Sequence, residues 1–233
     1  MNDWSHIEHN LKRINQQISL ACEQAEREVS EVRLLAASKR TDTAGVIASV
    51  SYGQSLFGEN RAQSLRDKHD STIATCPNAE WHFIGHLQKN KVKYIVGRAT
   101  MIHSVDSAEL ALAISRRVMQ QRAVGKQIED IETLVQVKYG SEAAKTGCPA
   151  PQALELAAKL SELPGLCLKG LMLIPPLEKT PKHWFEKLAL LAEHGNQQGL
   201  CLPELSMGMS SDLSDAIAAG STIIRIGTAI YQR

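Results

Sequence analysis

Residues Val32-Arg33-Leu34-Leu35-Ala36-Ala37-Ser38-Lys39 form a short apolar run that stops at a lysine, and Arg40-Thr41-Asp42 follows as a turn-prone triplet. A run this short, bounded this way, reads as a buried strand rather than a helix. A lysine at the carboxyl end of such a strand has its stem held by the core and its amine at the rim. That rim is where a barrel or an open α/β sheet places its chemistry. The same stretch taken alone also suits a lysine that has simply left the core for solvent.

The rest of the chain repeats the theme. Apolar or β-branched runs recur at 32–38, 55–58, 81–85, 101–105, 133–138, 168–174, 204–207 and 222–226. Longer segments with helical periodicity separate many of them, at 107–121, 151–163, 180–197 and 211–219. Strands alternating with helices imply βαβ units and a parallel sheet. About eight repeats in a chain of roughly 250 residues is the size of a closed (β/α)8 barrel, and this chain has 233. A doubly wound open sheet is the alternative, but it would carry a Gly-rich turn after its first strand, where Lys39 stands here. We expect an α/β fold, a single (β/α)8 TIM-type barrel, with one domain over residues 1–233. Residues 3–29 read as an added N-terminal helix, capped by Asp3 or Ser5, with Ile7, Leu11, Ile14, Ile18, Ala21 and Ala25 on its apolar face. Little sequence follows the last strand, so this helix is expected to cover that part of the barrel.

Composition narrows the function. Lys+Arg number 26 against Asp+Glu 25, which gives no electrostatic case for nucleic acid or an anionic membrane. Five scattered cysteines without a Cys-x-x-Cys pair argue against a disulfide framework and suit a reducing compartment. The polar N-terminus does not read as a signal peptide, and no apolar run approaches ~20 residues. A cytoplasmic protein is expected.

Chemistry concentrates in the last quarter. Ser206-Met207-Gly208-Met209-Ser210-Ser211-Asp212 and Arg225-Ile226-Gly227-Thr228 each run from a strand into small residues. Gly208, Ser210 and Ser211, then Gly227 and Thr228, offer N–H and hydroxyl donors in the loops after the seventh and eighth strands, where barrels commonly bind phosphate. Each loop alone also suits ordinary capping. Alternation puts Arg225 on the face opposite Ile224 and Ile226. Its donor fork suits a carboxylate, a phosphate or a neutral ring nitrogen, so a structural ion pair and a ligand contact are both open. A rim lysine, a phosphate cup and a buried arginine together suggest an aldehyde cofactor bearing a phosphate, and pyridoxal phosphate fits. Its aldehyde would join Lys39, which must attack as the neutral amine favoured by burial and nearby cations. Its ring nitrogen would face Arg225.

These stretches, with Phe57-Gly58-Glu59-Asn60, Trp81 through Gln88, Asn90-Lys91, His103-Ser104-Val105-Asp106, Lys145-Thr146-Gly147 and Gly170-Leu171-Met172, run in order through nearly the whole chain. In them the chain resembles the pyridoxal phosphate homeostasis proteins, whose fold is that of the N-terminal barrel of alanine racemase. The resemblance implies a Schiff base on Lys39, phosphate contacts from Ser210, Gly227 and Thr228, a ring-nitrogen contact from Arg225, and a pocket wall including Asn60, His82 and Met207. It implies binding and supply of the cofactor, without assigned turnover. A complete cofactor site with no evident second catalytic base leads us to expect a carrier that exchanges the cofactor with recipient enzymes, and a monomer is expected. Lys138 departs from the family's usual asparagine and Lys169 from a common arginine; the usual Phe-Gly ending is missing. An amino-acid racemase is the alternative, although in the related racemase the second base is a tyrosine from an additional domain. A Schiff-base aldolase acting on a phosphosugar is a third reading. His82 and His86 have the spacing of a zinc pair, but the strand and turn between them do not suit one.

Overall fold

A computed structural model describes residues 4–140, 146–177 and 179–232. Asp3 and Lys145 therefore lie outside the described residues. Eight strands close into a barrel: β1 (Arg33–Ala37), β2 (Leu56–Glu59), β3 (Glu80–Phe83), β4 (Met101–Val105), β5 (Ile131–Lys138), β6 (Leu166–Leu173), β7 (Glu204–Ser206) and β8 (Ile223–Ile226). Every neighbouring pair is parallel, and β8 returns to β1 with Leu35 opposite Arg225. The chain is thus the (β/α)8 barrel that the alternation implied. A two-residue strand, Cys148–Pro149, adds to the end of β5 beyond the last pairing of β4.

The helices are α1 (Ser5–Gln24), α2 (Thr43–Ser51), α3 (Ala62–Thr72), α4 (Val92–Ile95), α5 (Ala108–Ala123), α6 (Ala150–Ser161), α7 (Pro181–Gln197), α8 (Leu213–Ala218) and α9 (Thr228–Tyr231). None of the described helices is long and apolar enough to cross a membrane. Strand residues sort by alternation into two cores. Ala36, Phe57, Trp81, Phe83, Val135, Ile224 and Ile226 pack outward against the helices. Leu35, Ala37, Leu56, Met101, Leu134, Met172 and Ile223 fill the barrel.

The N-terminal helix is shorter than the 3–29 expected. Its periodic face, Ile7, Leu11, Ile14, Ile18, Ala21 and Cys22, is buried against α8 and α9, flanking the seam between β8 and β1. The residue before its first turn is Trp4, which makes no side-chain cap bond. It ends at Gln24 because Glu26 takes the left-handed region at φ 54° and Arg27 turns back. The Arg27 guanidinium donates to the Ile217 and Ser221 carbonyls at 2.9 and 2.8 Å, so this arginine ties the helix to the α8 loop.

Ile14 is 1% exposed and Leu20, on the opposite face, is 57% exposed. Ile14→Ala should therefore lower unfolding free energy by about 2–4 kcal/mol. Leu20→Ala should stay within about 0.5 kcal/mol. Urea denaturation of both variants checks this.

Candidate functional site

At the carboxyl ends of the strands a cavity of about 310 Å³ opens among Lys39, Asn60, Gln136, Arg225, Thr228 and the loop at Met209 and Ser210, with Gly227 also in its wall. Six of the residues singled out from the sequence meet there: Lys39, Asn60, Ser210, Arg225, Gly227 and Thr228. His82 and Met207 do not line it. His82 is fully buried inside the barrel below the cavity. Met207 is fully buried in the outer core; Gly208, at φ +93°, turns the chain so that Met209, not Met207, reaches the wall.

Lys39 sits past the strand, in the middle of a single 3-10 turn over Ser38–Arg40, and it is exposed rather than buried. Its neighbours are fixed. Ser38 is fully buried and its hydroxyl donates to Glu59 Oε1 at 2.7 Å. Lys68, from α3, donates to the Ser38 carbonyl at 2.7 Å and to the same Glu59 oxygen at 2.5 Å. Glu59, the last residue of β2, is 1% exposed. The turn that presents Lys39 is thus pinned from two adjoining elements by a buried ion pair. Just after it, Asp42 accepts from the Gly45 N–H at 2.9 Å and starts α2.

Across the cavity the two donor loops are built differently. In the β7 loop, Asp212 Oδ1 accepts from the Met209 N–H at 2.6 Å, which leaves Ser210 and Ser211 at an exposed tip. After β8, Gly227 precedes the first turn of α9, whose leading N–H groups have no intrahelical partners. A Cβ on Gly227 would stand 2.8 Å from the Ala37 carbonyl oxygen. Glycine lets this loop close onto the end of β1 beside Lys39.

Arg225 is 6% exposed. Its guanidinium donates to Ser206 Oγ at 2.7 Å and to the Leu173 carbonyl at 2.9 Å. It makes no ion pair among the described residues; Asp212 acts on it only through space. Burial brings its pKa down to about 10. Ser206 continues the chain of contacts to His103, His82 and Glu80. Burial, then His82 and Arg225, push His103 well below its ordinary value. The hydrogen bond from His82 holds Glu80 at about 2.

Further lining residues have no site role in the sequence reading: Ile84, Thr146 and Met209, from the stretches that carry the resemblance, and Gln136 and Ile174. Gln136 shares the inward register of Leu134 and donates to the Thr146 carbonyl at 2.9 Å; the alternation that placed Arg225 could have found it. Lys138 has the same register but is not in the lining. His86 does line the cavity, with Nδ1 3.7 Å from Asp106 Oδ2. It has therefore parted from His82. An exposed amine, a buried cation and two donor loops on one cavity suit a small anionic electrophile.

A profile of the family described as alanine racemase, N-terminal domain, matches residues 3–233. The chain is similar to the pyridoxal phosphate homeostasis protein of Haemophilus influenzae, 36% identical over 97% of this chain and 95% of that protein. It is similar to the structure of PipY from Synechococcus elongatus PCC7942 with PLP bound, 32% identical, with a TM-score of 0.82 over 97% of this chain and 99% of that one. It is also similar to a structure from Bifidobacterium adolescentis described as an unknown protein, 33% identical, with a TM-score of 0.91 over 99% of this chain and 97% of that one.

Removing Glu59 alone leaves the Lys68 ammonium, 13% exposed, without its carboxylate. Glu59→Ala should cost about 3–5 kcal/mol in urea unfolding, and Glu59→Leu combined with Lys68→Met should recover most of that. A cost below about 1 kcal/mol for the single change would contradict the pinned turn.

Proposed function

The chain belongs to the pyridoxal phosphate homeostasis protein family, and from that premise we propose that it holds pyridoxal phosphate as a Schiff base on Lys39 and exchanges or buffers it, without robust turnover. The observation that carries this reading is the pairing of one exposed lysine amine with one buried guanidinium, free of ion pairs among the described residues, on a single cavity. The cavity's size lies at the small end of ligand pockets, and its donors suit the group's three features. Ser210, Thr228 and the backbone at Gly227, all on the cavity wall, would donate to a phosphate. Arg225 has N–H donors and no acceptor, so it matches an unprotonated ring nitrogen.

Lys39 would hold the cofactor through its amine, and the cofactor would supply an aldehyde carbon and an electron sink there. The chain's own residues then do three things. Arg225 keeps a positive donor against the ring nitrogen and so discourages protonation there, which weakens the electron sink that carbanion chemistry needs. The Ser38–Glu59–Lys68 contacts hold the turn of Lys39 in register with the loops. The exposure of Lys39 leaves its nitrogen within reach of a second amine, the condition for passing the cofactor on to recipient enzymes.

A second reading, a racemase dependent on the same cofactor, is favoured by one observation. His86 lines the cavity near Asp106 and could serve as an acid/base opposite Lys39.

Purified protein given pyridoxal phosphate should absorb in the visible, and borohydride reduction followed by peptide mapping should find the label on Lys39. Lys39→Ala should lose both signals. A colourless wild type that also takes up no added cofactor would overturn the proposal. Racemisation of an amino acid that disappears in His86→Gln would replace it with the second reading.

A further inference from the structure

A line of polar side chains crosses the apolar interior of the barrel from one mouth to the other. It begins at Glu80, the first residue of β3, which is 38% exposed and also accepts from Thr100 Oγ1 at 3.0 Å. Glu80 Oε1 meets His82 Nε2 at 2.8 Å. His82 Nδ1 meets His103 Nε2 at 2.8 Å, and His103 Nδ1 meets Ser206 Oγ at 2.7 Å. Ser206 Oγ accepts from Arg225 at 2.7 Å. His82, His103 and Ser206 are fully buried, and Leu35, Met101, Leu134 and Met172 surround them as the interior core.

With both rings neutral, the direction of every proton in this line follows from its two ends. An ionised carboxylate only accepts and a guanidinium only donates. Glu80 therefore requires N–H on His82 Nε2. A neutral His82 then presents Nδ1 as an acceptor, so His103 must carry its proton on Nε2. A neutral His103 presents Nδ1 as an acceptor and receives a hydrogen bond from the Ser206 hydroxyl. Ser206 is left with a lone pair for Arg225. Each contact is satisfied once, with both rings neutral and in the same tautomer. Burial favours neutrality at His103, which it pushes well below its ordinary value.

We propose that Glu80, His82, His103 and Ser206 are positioning residues for Arg225, forming a one-directional hydrogen-bond wire that sets the orientation of its guanidinium toward the cavity. The wire and the Leu173 carbonyl fix two of the guanidinium's five donors. The remaining three are left for whatever occupies the cavity that Arg225 lines. A buried arginine with only carbonyl partners could rotate about its terminal bonds; an acceptor that is itself locked by donating to His103 denies it that freedom. The bearing on the cofactor rests on the proposed function. The wire itself does not.

The test reads the two separately. In the protein without cofactor, 15N spectra of the imidazoles should show both His82 and His103 protonated on Nε2 and bare on Nδ1. The Arg225 Hη signals should be separate and slowly exchanging. Ser206→Ala should merge those Hη signals. It should also weaken pyridoxal phosphate binding about tenfold while borohydride still labels Lys39. A proton on His103 Nδ1 in the wild type, or Arg225 signals already averaged, would overturn the wire. Unchanged cofactor affinity in Ser206→Ala would overturn its role toward the cavity. If Ser206→Ala does not fold, the wild-type spectra alone decide whether the wire exists. A wild type that shows the wire but takes up no cofactor would sink the proposed function and leave the wire standing.

Discussion

A guanidinium only 6% exposed at the inner end of a cavity finds little water, so the barrel's own polar atoms must satisfy much of it. Arg225 meets this constraint with a serine and a main-chain carbonyl, and the serine in turn depends on two histidines and a glutamate. The inner face of this barrel is accordingly two materials. Leucine, methionine and isoleucine fill most of it, and a polar line runs through them from Glu80 to Arg225. At the amino-terminal mouth, ion pairs between Arg33 and Glu204 at 2.8 Å and between Lys169 and Glu132 at 3.4 Å gather charge near the start of that line. At the other mouth the line ends in a cation with donors to spare.

Lys39 is governed by a different arrangement. It stands just beyond the last residue of its strand, in a turn too short to hold itself. The hold comes from outside: Glu59 at the end of β2 and Lys68 on α3 grip Ser38, and Gly227 lets the β8 loop close against Ala37. The lysine's backbone is therefore rigid where its side chain is exposed. This combination suits a residue that must meet a ligand repeatedly in one place and yet be reached from solvent, which is what a carrier needs and what a sealed catalytic centre avoids.

Much of this was legible in sequence because strands and barrels obey strict alternation. The eight apolar runs, the parallel closure, the inward face of Arg225 and the flanking of the β8–β1 seam by the N-terminal helix all follow from period and length. Alternation fails where the chain leaves the strand. Lys39 lies in a turn rather than on a strand end, so of the two readings its run allowed the exposed one holds, although the residue still lines the cavity. Met207 and Met209 exchange roles because Gly208 reverses the chain at a positive φ. Glu26 ends the first helix early through a local conformation that periodicity does not encode. His103 is the instructive omission. It lies two residues after the inward Met101, so the rule that found Arg225 would have turned it inward as well, but a histidine among apolar neighbours carries no signal of its partners until strands distant in sequence are brought together.

The central claim is that the lysine, the arginine and the two loops form one ligand site. A crystal structure of the protein grown with pyridoxal phosphate tests it most directly. The account predicts continuous density from Lys39 Nζ to the ligand, its phosphate among Ser210, Gly227 and Thr228, and its ring nitrogen against the Arg225 guanidinium. Ligand density joined to another lysine, or a ring turned so that its nitrogen faces away from Arg225, would contradict it.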